Sequence, residues 1–189
     1  MTSSGDLIHF PRVLIESASK GDELAFKEIY SKLSGKMYTI CLRYAGRMND
    51  ANDLFQEGFI KLYRNLGNFR HEGSFEGWAR KIFVNICLDA MKKKNIIYSE
   101  IEKEQEPAAS ISSGFDSLTV DDLMNKIRKL PDGYRTIMNL YVIEGYSHAE
   151  IAAMLGITAG SSKSQLFKAR GYLKKLIEKE DLQQNENYS

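Results

Sequence analysis

The residues of this chain best suited to chemistry are small, polar and basic, and they crowd into one stretch near the C-terminus. From Leu155 to Ile177 there are five cations (Lys163, Lys168, Arg170, Lys174 and Lys175) and no carboxylate. Ser161, Ser162 and Gln165 stand among them. Hydroxyls and amides can hydrogen-bond base edges, and spaced cations can neutralise phosphates. Covalent chemistry has no comparable cluster. The three histidines, His9, His71 and His148, are widely spaced, and there is no H-E-x-x-H, G-x-S-x-G or P-loop pattern. Cys41 and Cys87 lie in apolar helical contexts and read as buried thiols of a reducing cytosol. No catalytic residue, metal or cofactor is expected.

The basic stretch needs elements to present it. Ser147 and Glu150 have the S-x-x-E spacing of a capping box, which opens a short helix carrying Ile151, Ala152 and Leu155. Gly156 ends that helix, Ile157 can pack into the corner, and Thr158 caps a second helix through Arg170. Ala152 is small where two helices would cross closely. A short helix, a glycine turn and a second helix with small and polar N-terminal residues predict a helix-turn-helix that reads DNA. His148, just after the cap, is expected on the surface. If three or four of the cations reach phosphates, the salt slope would be roughly −3 to −4. That is weak for a sole contact, so a second binding site is expected.

Elsewhere the chain is helical in period. Phe26, Ile29, Tyr30, Leu33, Met37, Ile40, Cys41 and Tyr44 recur at helical spacing, as do Leu54, Phe55, Gly58, Phe59, Leu62 and Leu66. Trp78, Ile82, Phe83, Ile86 and Ala90 repeat the pattern, and no stretch alternates long enough for a strand. Loops are expected near 46–50 and 67–74. The formal net charge of +1 hides an uneven distribution: +4 over residues 1–98, −6 over 99–122 and +3 over 123–189. Residues 99–116 carry alternating glutamates followed by Pro, Ser and Gly, the composition of a linker. The expectation is an all-α protein: a helical domain over 1–98, an acidic flexible linker over 99–117, a four-helix unit with the helix-turn-helix over 118–180, and a disordered tail over 181–189. No run of apolar residues is long enough to span a bilayer, and the N-terminus has no signal-peptide pattern.

With these segments in place, the chain resembles the extracytoplasmic-function (ECF) sigma factors. The stretch LPDGYRTIMNLYVIEGYSHAEIAAMLGITAGSSKSQLFKAR is similar to their C-terminal promoter-reading domain. DANDLFQEGFIKLYRNLGNF and SFEGWARKIFVNICLDAMKKK are similar to consecutive segments of their N-terminal domain. The likeness covers roughly residues 20–98 and 118–177, in the family's order. It implies a cytoplasmic, dissociable RNA polymerase subunit, monomeric when free and without enzymatic activity. Such a subunit docks on core polymerase, reads −35 DNA and opens −10 DNA, and is often held by an anti-sigma factor. The acidic segment 99–106 would run near the RNA path. The −10 contacts would fall on Arg70, Ser74, Phe75, Arg80, Lys81 and Asn85. Phe75 and Asn85 would receive an unstacked base. Trp78 reads as core and His71 as an exposed loop residue, while Lys92, Lys93 and Lys94 could complement a helix dipole or hold phosphates. The −35 contacts would fall on Ser161, Ser162, Lys163, Gln165, Lys168 and Arg170. Two of these depart from the commonest family pattern: Ser162 where valine is frequent, and Gln165 where arginine is frequent. Since glutamine favours adenine, an altered −35 preference is expected. The alternative is a stand-alone helix-turn-helix regulator with a helical sensor or dimerisation domain.

The segment DLFQEGFIKLYRNL, residues 53–66, bears on that choice. On a helix, Leu54, Phe55, Gly58, Phe59, Leu62 and Leu66 share one side, and Asp53, Glu57, Ile60 and Arg64 the other, with Gln56 beside them. Gly58 thus falls where a neighbouring helix could approach closely. Ile60 is an apolar residue among polar ones. In the family likeness, Asp53, Gln56, Glu57 and Ile60 become the patch that binds core polymerase.

Overall fold

The computed structural model describes residues 9–45, 47–93 and 119–186, all helices and short connections among those residues. In order these are α1 (Arg12–Ser19), α2 (Glu23–Ala45), α3 (Met48–Asn65), a 3-10 turn (Leu66–Asn68), α4 (Phe75–Lys93), α5 (Val120–Arg128), α6 (Asp132–Met138), α7 (His148–Leu155) and α8 (Ala159–Glu186). A π-helical turn, Asn139–Ile143, extends α6. The chain divides into two compact units, 1–89 and 90–189.

The first unit is assembled around α2. Ile29, Leu33, Met37, Ile40, Cys41 and Tyr44 recur every three or four residues and are all buried. Fully burying each large apolar side chain contributes about 1.5–3 kcal/mol. Asp22 starts this helix, its Oδ1 accepting from the backbone N–H of Leu24 and Ala25 at 3.0 and 3.1 Å. Helix α3 packs on α2 through Ala51, Leu54, Phe59 and Leu62. Aromatic rings fill the gap to α4: Phe59 lies 5.3 Å from Phe83 and 4.4 Å from Tyr30 between centroids. Gly58 faces Phe83 directly, and a Cβ there would sit closer than 3 Å to that ring. The loop expected near 46–50 is shorter than the sequence suggested. Helix α3 already begins at Met48, because Ala51 is needed in the core.

The second unit carries local signals at almost every helix end. Thr119 and Asp122 form a reciprocal capping box at α5. Arg135 is buried at the next junction, donating to the carbonyls of Leu130 at 2.9 Å and Arg128 at 3.2 Å and pairing with Asp132. A cation there satisfies the orphan carbonyls at the end of α5. Gly145 and Gly156 take the left-handed conformation, at φ 78° and 71°. The core gathers Ile127, Leu130, Ile137, Leu140, Ile151, Leu155, Leu166, Ala169 and Ile177. The tail expected to fray from Asp181 instead continues α8 through Glu186. No Pro or Gly follows Gly171 to stop it. The acidic segment 99–106, the rest of the linker and Lys94 lie outside the described residues.

Candidate nucleic-acid interface

The helix-turn-helix forms as the local signals require. Ser147 Oγ accepts from the Glu150 backbone N–H at 3.3 Å, and the Glu150 carboxylate accepts from the Ser147 N–H at 2.8 Å and its hydroxyl at 2.7 Å. Gly156 closes α7 by donating its N–H to the Ala152 carbonyl at 2.9 Å. Thr158 Oγ1 accepts from the Ser161 N–H at 3.0 Å and starts α8.

The rotation of α8 about its axis sorts the expected −35 residues. Lys163 and Arg170 are exposed, and Ser161 and Lys168 half-buried. The Ser161 hydroxyl is engaged with Thr158 Oγ1 at 2.9 Å. Ser162 and Gln165, by contrast, are buried and face the core with Leu166 and Ala169. This corrects the expectation that they read bases, and with it the adenine preference inferred from Gln165. The Gln165 Oε1 has no hydrogen-bond partner among the described residues. Two residues that sequence reasoning left out occupy the solvent face instead. Ser164 is exposed, and Phe167 is 53% exposed on the same side of the wheel as Lys163 and Arg170. Helical phase points to both only once the burial of Leu166 and Ala169 is known, because Phe167 by hydrophobicity competes for the inner face. His148 is likewise not a plain surface residue. It is half-buried, its Nδ1 lies 2.9 Å from Ser162 Oγ, and its ring stacks on Tyr141 at 4.4 Å and 20°.

In the first unit the loop before α4 borders a cavity of about 400 Å³. Phe10, Phe69 and Phe75 give it an aromatic wall, and His9, Arg12, His71 and Ser74 line it with polar groups. Two positive-φ residues, His71 at 57° and Gly73 at 94°, bend the loop around it. Arg12 is held by Glu16, its Nε donating at 2.6 Å, and this hydrogen bond keeps the Glu16 carboxyl below its ordinary pKa. Phe75 is only 5% exposed, packed on Phe10, Phe69 and Trp78. It is therefore a wall of the cavity. Trp78 is half-buried against Phe69. Arg70, Ser74, Lys81 and Asn85 are exposed and Arg80 half-buried. Trp78, Lys81 and Asn85 share one side of α4 at helical spacing. Sequence reasoning missed the contribution of the segment leading into α1, because His9, Phe10 and Arg12 are some sixty positions from the loop they face.

On α3, Asp53, Gln56 and Glu57 are all exposed, and Ile60 is 52% exposed beside them. The opposite side carries the buried Leu54, Gly58 and Leu62.

Comparison with known proteins places this geometry. Residues 29–96 match the family model Sigma-70 region 2, and residues 121–173 match Sigma-70, region 4. The ECF RNA polymerase sigma factor SigW of Bacillus subtilis is 32% identical over 176 residues, covering 86% of this chain and 94% of SigW. The ECF RNA polymerase sigma-E factor of Haemophilus influenzae is 28% identical over 180 residues, covering 88% and 95%. Among solved structures, the sigma factor RpoE of Bartonella quintana, crystallised with the anti-sigma factor NepR, shares the fold. Its TM-score is 0.51 at 22% identity, over 81% of this chain and 96% of that one.

Proposed function

The chain belongs to the ECF RNA polymerase sigma factors, and from that premise we propose how its parts divide the work of directing promoter-specific transcription initiation. The face of α3 formed by Asp53, Gln56, Glu57 and Ile60 docks on core polymerase. An apolar centre within a polar, acidic rim suits a protein interface, and its carboxylates call for basic groups on the partner. The loop 69–74 and α4 bind the −10 strand. The aromatic-walled cavity takes an unstacked base, while Arg70, Arg80, Lys81 and Asn85 hold the strand around it. Helix α8 enters the major groove at −35. Lys163, Ser164, Phe167 and Arg170 face the base edges and phosphates, with Ser161 and Lys168 at the margins. Phe167 suits contact with a thymine methyl group.

In this reading the 1–98 domain melts DNA, the 118–180 domain reads it, and neither catalyses a reaction. No described helix is long and apolar enough to cross a membrane, and the site of action is the cytoplasm, where polymerase and DNA are. The Bartonella relative was crystallised with an anti-sigma factor. Control by such a partner, with release of a monomer, belongs to the same proposal.

The observation that carries this reading is the presence of both promoter-binding regions in one chain, in order, with α3 offering an exposed apolar centre. A stand-alone regulator gives no reason for that α3 face. Run-off transcription with core polymerase on a promoter library tests it. Transcripts that start only when the protein and core are combined are expected. Tight operator binding without core, and no transcript with it, would sink the reading.

A further inference from the structure

We propose that His148 is a contact to the DNA backbone in the −35-reading unit, its Nε2–H donating to a phosphate while Ser162 and Tyr141 hold the ring. The Ser162 hydroxyl is fully buried on α8, and its hydrogen bond is to His148 Nδ1 at 2.9 Å. A buried O–H left without an acceptor is costly. The imidazole supplies that acceptor only as the tautomer protonated at Nε2. The serine thus assigns the proton to the far nitrogen of the ring. The two ring nitrogens diverge, so a ring tied to α8 at Nδ1 turns Nε2–H away from that helix. His148 is half-buried, and Nε2 has no partner among the described residues. Tyr141 stacks on one ring face at 4.4 Å and 20°, which limits rotation.

The place suits the ligand. Ser162 itself turns inward, one residue before the exposed Lys163, and the half-buried His148 reaches it from the start of α7 within the same helix-turn-helix. In helix-turn-helix proteins the first helix crosses the sugar-phosphate backbone, and His148 is the first residue of α7. The nearby Glu150 carboxylate is turned back onto the Ser147 N–H and hydroxyl. The positions where the family pattern gives way to Ser162 and where a histidine opens α7 are therefore one device: the serine orients the histidine.

This inference rests on the reading of α8 as the −35 helix. The test is methylphosphonate scanning of the −35 phosphates, measuring binding by full-length protein in complex with core polymerase. Wild type is expected to lose about tenfold at one phosphate, the scale of a hydrogen bond to a charged group. His148→Ala should lose a similar factor on unmodified DNA and be indifferent to that methylphosphonate. His148→Gln, which can accept from Ser162 and donate outward, should keep the sensitivity. Losses that add at every phosphate would overturn the proposal. So would recovery of His148→Ala affinity by Ser162→Val, because that would make the histidine only a partner for the buried hydroxyl. Lys163→Ala and Arg170→Ala serve as reference. If they too leave binding unchanged, the −35 reading itself fails, independently of His148.

Discussion

Gly58→Ala tests whether the glycine in α3 is there for close packing. The added Cβ would fall closer than 3 Å to the Phe83 ring. Phe83 is fully buried, with Phe55 and Phe59 at 6.4 and 5.3 Å between centroids, so it has little room to swing away. Overpacking of this kind costs about 1–3 kcal/mol, and the rigid surroundings favour the upper end. Alanine returns about 1 kcal/mol of helix propensity. The net expectation is a loss of about 2 kcal/mol, a fall in Tm of roughly 8–16 °C for a unit of this size. Gly35 is the internal control, a glycine inside α2 whose Cβ would meet nothing within 4 Å. Gly35→Ala should therefore stabilise by about 1 kcal/mol. Thermal melts by circular dichroism of both variants, alone and with Phe83→Leu, complete the comparison. Phe83→Leu should cost less in the Gly58→Ala background than in wild type, since it makes room for the new methyl. If Gly58→Ala stabilises as Gly35→Ala does, the helices do not approach as described and the packing argument is wrong.

Ile60→Asp and Glu57→Lys should each abolish competition for core polymerase with unchanged circular dichroism. Normal competition by both would remove α3 as the docking face. Gln165→Met replaces a buried, unpartnered acceptor with an apolar side chain of similar length, and should stabilise by about 1 kcal/mol. Binding selection on randomised −35 DNA should return the same sequence for both proteins, and a changed base would place Gln165 in the groove after all. Lys163→Ala and Arg170→Ala should each lower the salt slope of promoter binding by about 1, and an unaltered slope counts against phosphate contact. Phe75→Ala should cost about 3–5 kcal/mol in stability because Phe75 is a core residue. A fully stable variant defective only in −10 opening would instead make Phe75 a direct partner of the base rather than a core residue.

The helices, their caps and the helix-turn-helix were legible because the signals are local. The Ser147–Glu150 box, the left-handed Gly156 and the buried stripe of α2 each depend on residues a few positions apart. The exposed patch on α3 was legible for the same reason: six apolar positions fix the phase of that helix, and Ile60 falls opposite them. The first turns of α8 carry no such anchor. Between Ala159 and Arg170 the large apolar residues are Leu166 and Phe167, and only Leu166 is buried. Hydrophobicity would have put Phe167 inside and Gln165 outside, and the fold does the reverse.

By itself, then, the sequence determined an all-α chain with two helical units, their order, and the residues available to each surface. It could do so because helix period and capping are written over neighbouring positions. Tertiary packing decided which of those residues reach a surface. Docking on α7 and its neighbours set the rotation of α8, burying Ser162 and Gln165 and freeing Ser164 and Phe167. The cavity beside Phe75 exists only because α1, distant in sequence, closes against the loop 69–74. His148 gained a hydrogen-bond partner for its ring only when Ser162 was brought within 2.9 Å across fourteen residues. Such pairings are set by where whole helices pack, and no short window of sequence carries them.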